Sequence, residues 1–376
     1  MKDILNDSHR IVIKIGSALL VDAQTGQLRE NWLESIAADV ARLRSAGKDV
    51  ILVSSGSIAL GRKLLDLKIS KRLEDNQAAA AMGQIELAAA YRQILGRHNI
   101  PVAQILLTYG DTEERRRYLN ARNTMLRLMK LGVVPVINEN DTVATDELRY
   151  GDNDRLAARV ATMCEANCLF LLSDIDGLYT ADPHKDENAQ FIAHVDQITA
   201  EIERMAGTPI STGFGSGGMI TKIAAARIAT AGGCHMVIAS GKPLNPVSRY
   251  LDGGPGTWFQ ASDSPYAAKK QWINGTLEIS GRLVVDAGAA QALGQGKSLL
   301  PAGVVRVEGN FDKGDAVSIL DLDGREIGRG LIAYGATEAR KLIGRRSQEI
   351  EQILGYVGRE ELIHRSDLVM TGNGHK

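Results

Sequence analysis

Five polar clusters in this chain bring together residue types that suit anion and amino-acid chemistry. Lys14-Ile15-Gly16-Ser17 closes an apolar run. A lysine in that position costs free energy unless an anion pairs with it. Gly16 lets backbone approach a ligand closely. From this segment alone, a lysine that snorkels to solvent stays open as the alternative. Ser54-Ser55-Gly56-Ser57 sets hydroxyls and a glycine ahead of a helical run, 58–67, which suits either an anion or a plain N-cap with a tight turn. Asn138-Glu139-Asn140-Asp141-Thr142 and Gly151-Asp152-Asn153-Asp154 crowd carboxamides and carboxylates into one connection. Capping the next helix needs one of them, and connections this long commonly carry function.

The fourth cluster, Ser173-Asp174-Ile175-Asp176-Gly177 through Asp182-Pro183, leaves a buried strand directly for turn residues. It lacks the ladder of acidic ligands that a calcium loop needs. The fifth, Gly213-Phe214-Gly215-Ser216-Gly217-Gly218-Met219-Ile220-Thr221-Lys222, contains the GxGxxG spacing, but no strand-like run precedes it, as the dinucleotide fingerprint requires. Lys222 is not placed as a Walker A lysine either. What is left is a glycine-rich loop opening a helix whose first turn carries a lysine, an arrangement suited to phosphate. Cys164 and Cys168 are joined by no second pair or nearby histidine, so no protein metal site is expected.

Short apolar runs at 10–15, 49–54, 102–107, 133–137, 168–172 and 234–238 read as buried strands. Helical stretches at 32–45, 76–95, 115–130, 155–164 and 219–231 separate them. This alternation predicts a three-layer αβα sandwich on a mainly parallel sheet, in which ligands bind at the carboxyl ends of the strands. Several of the clusters fall at those ends. Beyond residue 277 short β-like runs with Gly- and Asp-rich turns predict a small β-rich module. The expected division is a catalytic domain over 1–255, a Gly-, Pro- and Ser-rich linker over 256–275, a β-rich domain over 276–365 and a disordered tail over 366–376.

The whole chain has 376 residues, with 44 Lys and Arg against 45 Asp and Glu, so no overall field draws in nucleic acid or anionic membrane. No apolar run reaches the roughly 18 residues of a membrane span. Three cysteines make no disulfide framework, which points to a reducing cytoplasm.

Taken in register, the clusters resemble the amino acid kinase family, and within it the branch that phosphorylates glutamate. The C-terminal part is similar to a PUA module in Asp286-Ala-Gly288, Leu300-Pro-Ala-Gly303, Gly309 to Asp315 and Gly328-Arg-Gly330. The resemblance implies transfer from ATP, carrying Mg²⁺, to the side-chain carboxylate of L-glutamate, giving glutamyl 5-phosphate for proline synthesis. It implies Lys14, Lys222 and Asp154 as the catalytic set, with Asp154 holding both lysines. Ser54, Asp141, Asn153 and Asp152 are then expected to bind glutamate. Lys14, Gly16, Ser173, Asp174, Ser216, Gly217, Gly218, Met219, Ile220, Thr221 and Lys222 are expected to bind ATP. Two departures are small: the family usually has Thr at the position of Ser216, and a small polar residue is common at that of Ile220, for which no physical reason is found. Feedback by proline, a homo-oligomer and coupling to glutamyl phosphate reductase follow as further expectations. Family members acting on acetylglutamate or aspartate remain alternatives, as does RNA binding through the C-terminal module. That last reading is weakened by 13 Lys and Arg against 14 Asp and Glu over residues 271–376.

Overall fold

The computed structural model describes residues 2–69, 72–143, 153–183, 185–207, 218–275 and 279–371. The chain divides into two compact units, Met1–Pro265 and Tyr266–Lys376. In the first, Val/Ile/Leu-rich runs form Arg10–Ile15 (β1), Asp49–Ser54 (β2), Val102–Leu107 (β3), Val134–Glu139 (β4) and Cys168–Ser173 (β5). Leu178–Tyr179 (β6) and Phe191–Ile192 (β7) make a small antiparallel pair. His194–Val195 (β8), His235–Ser240 (β9) and Thr257–Phe259 (β10) complete the set. Among the described residues the main sheet has eight strands in the order β3-β4-β2-β1-β5-β9-β10-β8, parallel except where β10 runs against β9.

Alternation along the central strand decides the layers. Ile11, Ile13 and Ile15 face one core, which helices Glu30–Ser45 and Leu73–Gly96 cover through Trp32, Leu33, Ile36, Leu87 and Tyr91. Val12 faces the other core, under helices Arg115–Lys130, Asn153–Met163 and Met219–Ala231. Lys14 shares the parity of Val12, so a strand's period of two turns it toward the helices that carry Asp154 and Lys222. Those helices meet through alanines: Ala157, Ala158, Ala161, Ala225, Ala226 and Ala229 are fully buried. Small side chains let the helix axes approach each other and the sheet.

The second unit holds an antiparallel-rich sheet of Gly281–Val285 (β11), Val304–Gly309 (β12), Ala316–Leu320 (β13), Glu326–Leu331 (β14) and Leu368–Met370 (β15), ordered β12-β11-β13-β14-β15. Its core gathers Leu283, Val285, Val317, Ile319, Ile332 and Leu362.

Two boundaries differ from expectation. The stretch 256–275 is not an extended linker: Thr257–Phe259 is a strand of the main sheet and Pro265–Gly275 is a helix. Trp258 and Phe259 are fully buried, but three residues behind a Gly/Pro cluster carry too little periodicity to register as a strand. The expected tail is also ordered at its start. Leu368–Met370 pairs with β14, and Lys269 reaches Asp367 at 2.6 Å. Residues 372–376 lie outside the described residues.

Candidate active site

The carboxyl ends of β1, β2, β4 and β5 lie along one sheet edge. Ile15 stands beside Ser54 and Lys14 beside Leu171. Val53 stands beside Ile137, so the next step in register brings Ser54 to Asn138. The described residues of the clusters that close these four strands therefore lie along one edge, where doubly wound sheets bind ligands.

At the centre Asp154, fully buried, lies between two ammonium groups. Lys14 Nζ is 2.5 Å from Oδ1 and Lys222 Nζ is 3.1 Å from Oδ2. Both lysines are only 5% exposed. Thr221 Oγ1 donates to Asp154 Oδ2 at 3.3 Å. Two buried ammonium groups thus share one buried carboxylate, which fixes both at the carboxyl edge of the sheet. A Cβ on Gly16 would stand 3.9 Å from Lys14 Nζ. Larger side chains at that position would extend toward the ammonium. Gly218 caps the start of helix Met219–Ala231 with extended backbone, φ −70° and ψ 177°. It is exposed, while Met219, Ile220 and Thr221 are half-buried.

Beside this charged centre lies a neutral one. Asn153 Nδ2 donates to Ser54 O at 2.6 Å and to Asn138 Oδ1 at 2.8 Å. Ser54 is fully buried. Its hydroxyl accepts from Tyr91 at 2.9 Å and donates to Ser55 O at 3.0 Å. The serine thus joins the cluster through its carbonyl, while its hydroxyl is turned to Tyr91. Burial pushes the Tyr91 phenol well up, with the Ser54 hydrogen bond opposing it, so Tyr91 stays a neutral donor. Asp141 is half-buried just past β4. Asp152, Ser216 and Gly217 lie outside the described residues.

At the end of β5, Ser173 Oγ donates to Asp174 Oδ1 at 3.0 Å, and Asp174 is exposed. The connection that follows is pinned by a residue that sequence reasoning assigned to the linker. Thr257 Oγ1 accepts from Leu178 N at 2.7 Å and donates to Ile192 O at 2.6 Å. A Cβ on Gly177 would fall 2.5 Å from that oxygen, so only glycine allows the approach. Thr257 carries no local signal of this role, because its partners are 65 and 79 residues away. Cys164, Cys168 and Cys234 are buried thiols. Burial pushes Cys164 up to about 12 and the other two upward as well, so they behave as core residues.

A parallel αβα sheet with two buried lysines held on one aspartate at its carboxyl edge suits a phosphate-bearing ligand. The chain belongs to the amino acid kinase family, whose family model matches residues 9–240. A PUA domain model matches residues 281–354. Among curated proteins, the chain is 58% identical over 363 residues to the glutamate 5-kinase of Paramagnetospirillum magneticum, covering 96% of this chain and 98% of that one. It is 59% identical over 369 residues to the glutamate 5-kinase of Agrobacterium fabrum, covering 98% and 94%. Among solved structures, the carbamate kinase of Giardia lamblia bound to AMP-PNP superposes with TM-score 0.50 at 17% identity, over 68% of this chain and all of that one. At that identity the likeness concerns the fold.

Proposed function

We propose that this chain transfers the γ-phosphoryl group of MgATP to the side-chain carboxylate of L-glutamate, forming glutamyl 5-phosphate and ADP on the way to proline. The observation that carries the reading is the buried triad in which Asp154 holds the ammonium groups of Lys14 and Lys222. A side-chain carboxylate with pKa about 4.3 is already ionised at neutral pH, so the reaction needs no general base. The obstacle is repulsion between an anionic nucleophile and a polyanionic nucleotide. Phosphoryl transfer is mostly positioning and electrostatic stabilisation.

A glutamate carboxylate oxygen attacks the γ-phosphorus, the bond to the β-bridging oxygen breaks, and ADP leaves with that electron pair. No proton need move. Lys14 and Lys222 offset the charge at the transferring group, and Asp154 holds both ammonium groups in place. Magnesium bound with the nucleotide would supply further charge neutralisation at its phosphates. Asp141 and Asn153, with Ser54 and Asp152, receive the amino acid, a carboxylate being suited to a free α-ammonium. Gly16, Ser173 and Asp174 line the nucleotide, and residues 216–222 its phosphates. Proline feedback, a homo-oligomeric state, delivery of the acyl phosphate to glutamyl phosphate reductase and a cytoplasmic setting complete the proposal on family likeness. Among the described residues no helix is long and apolar enough to cross a membrane.

The test is ADP release with glutamate, acetylglutamate and aspartate in parallel. Glutamate is expected to be preferred by about 100-fold in kcat/KM, the scale on which a single methylene, the difference from aspartate, is discriminated. A preference for either other acceptor would contradict the proposal.

A further inference from the structure

Helix Leu73–Gly96 reaches the neutral half of the site through a side chain with no role so far. Gln84 Oε1 accepts from Asn138 Nδ2 at 2.7 Å. We propose that Gln84 is a positioning residue that immobilises the Asn138 amide and, through it, presents Asn153 Oδ1 to the α-ammonium of the acceptor. The proposal rests on the glutamate reading above.

The orientation of all three amides follows from two backbone groups that have only one role each. Glu139 N–H can only donate, and it donates to Asn138 Oδ1 at 2.9 Å. Ser54 O can only accept, and it takes Asn153 Nδ2 at 2.6 Å. Asn138 Oδ1 must then also be the acceptor for Asn153 Nδ2, at 2.8 Å. Asn138 Nδ2 is thereby turned toward Gln84 and, at 3.3 Å, toward Ser57 Oγ. A flipped Asn138 would set its NH₂ against two donors. With both amide hydrogens of Asn153 engaged, Oδ1 is its remaining polar atom, an acceptor complementary to an ammonium, which can only donate.

Gln84 supplies the shorter of the two acceptors that hold Asn138 Nδ2. Its position is fixed by backbone contact at the preceding residue. A Cβ on Gly83 would fall 1.9 Å from Ser57 O, and one on Gly61 1.7 Å from Ala79 O. The helices Ser57–Leu64 and Leu73–Gly96 therefore touch main chain to main chain. Tyr91, two turns beyond Gln84 on the same face, reaches Ser54 at the other end of the relay. One rigid helix thus braces both ends.

Steady-state kinetics on the full chain, varying glutamate and ATP separately, test this with Gln84→Leu and Gln84→Glu. Gln84→Leu removes the acceptor and is expected to raise the KM for glutamate about tenfold, with the KM for ATP within about twofold, as for loss of one hydrogen bond. Gln84→Glu keeps an acceptor oxygen and is expected to return the glutamate KM to within about threefold of the parent. If Gln84→Leu does not fold, Gln84→Met is read by the same criteria. An unchanged glutamate KM, or equal damage to both substrates, overturns the proposal. A Gln84→Glu variant worse than Gln84→Leu overturns it too, because it would mean that the amide NH₂ touches a substrate carboxylate directly. No glutamate turnover by the parent chain would instead refute the underlying functional reading.

Discussion

Around Asp154 the site is made of full charges, whereas around Asn138, along the same sheet edge, it is made of amides, a hydroxyl and main-chain groups. The charged half consists of three ionisable side chains from β1 and the two alanine-lined helices. The neutral half consists of Asn153, Asn138, Gln84, Ser54 and Tyr91. The contrast matches the two tasks of the proposed reaction. Transfer needs strong fields at one point, which buried charge supplies. Recognition of a zwitterion needs donors and acceptors of fixed polarity, which locked amides supply at a lower desolvation cost than charges.

The sharpest way to break this division is Lys222→Ala. If the charged half serves transfer, kcat should fall on the order of 10²–10³ with little change in the KM for glutamate. An unchanged kcat in steady-state assays would remove Lys222 from the transfer centre. A smaller effect is expected at Asp141→Asn. Loss of a charge-assisted contact to the α-ammonium should raise the glutamate KM by on the order of 10- to 100-fold and leave that for ATP nearly unchanged. Equal loss for both substrates would erase the distinction between the halves.

The charged half was far more legible in the sequence than the neutral one. Lys14 at the end of an apolar run and Lys222 behind a glycine-rich loop are anomalies that local reading detects, and both meet Asp154. Asn138 and Asn153 were visible as part of an over-rich polar connection. Gln84 and Tyr91 were not, because a glutamine and a tyrosine in an alanine-rich amphipathic helix are ordinary. Only the backbone contacts at Gly61 and Gly83 reveal where that helix must lie. Strands β1 to β5 and β9 were readable because each is a six-residue, mostly apolar strand between turns. Thr257–Phe259 was missed for the opposite reason: a three-residue strand is specified by long-range pairing with β8 and β9.

That missed strand gives two finer tests. Thr257→Val strips Leu178 N of its buried acceptor while keeping shape, and should raise the KM for ATP about 3- to 10-fold through the loop after β5. Thermal melts would separate this from global destabilisation. The smallest effect is expected from ending the chain at Pro265, the limit of the first compact unit. Turnover should stay within about tenfold, or roughly 1.4 kcal/mol in barrier. Ending it at Pro255 removes β10 and its threonine, and should abolish folding or transfer. Identical behaviour of the two fragments would contradict the role given to that strand.

The most direct measurement of the central claim is to trap the product. Incubating the full-length chain with MgATP, L-glutamate and hydroxylamine should yield glutamyl hydroxamate in proportion to ADP, because hydroxylamine captures an acyl phosphate formed on the side-chain carboxylate. ADP release with glutamate but without hydroxamate, or hydroxamate from acetylglutamate and none from glutamate, would contradict the account.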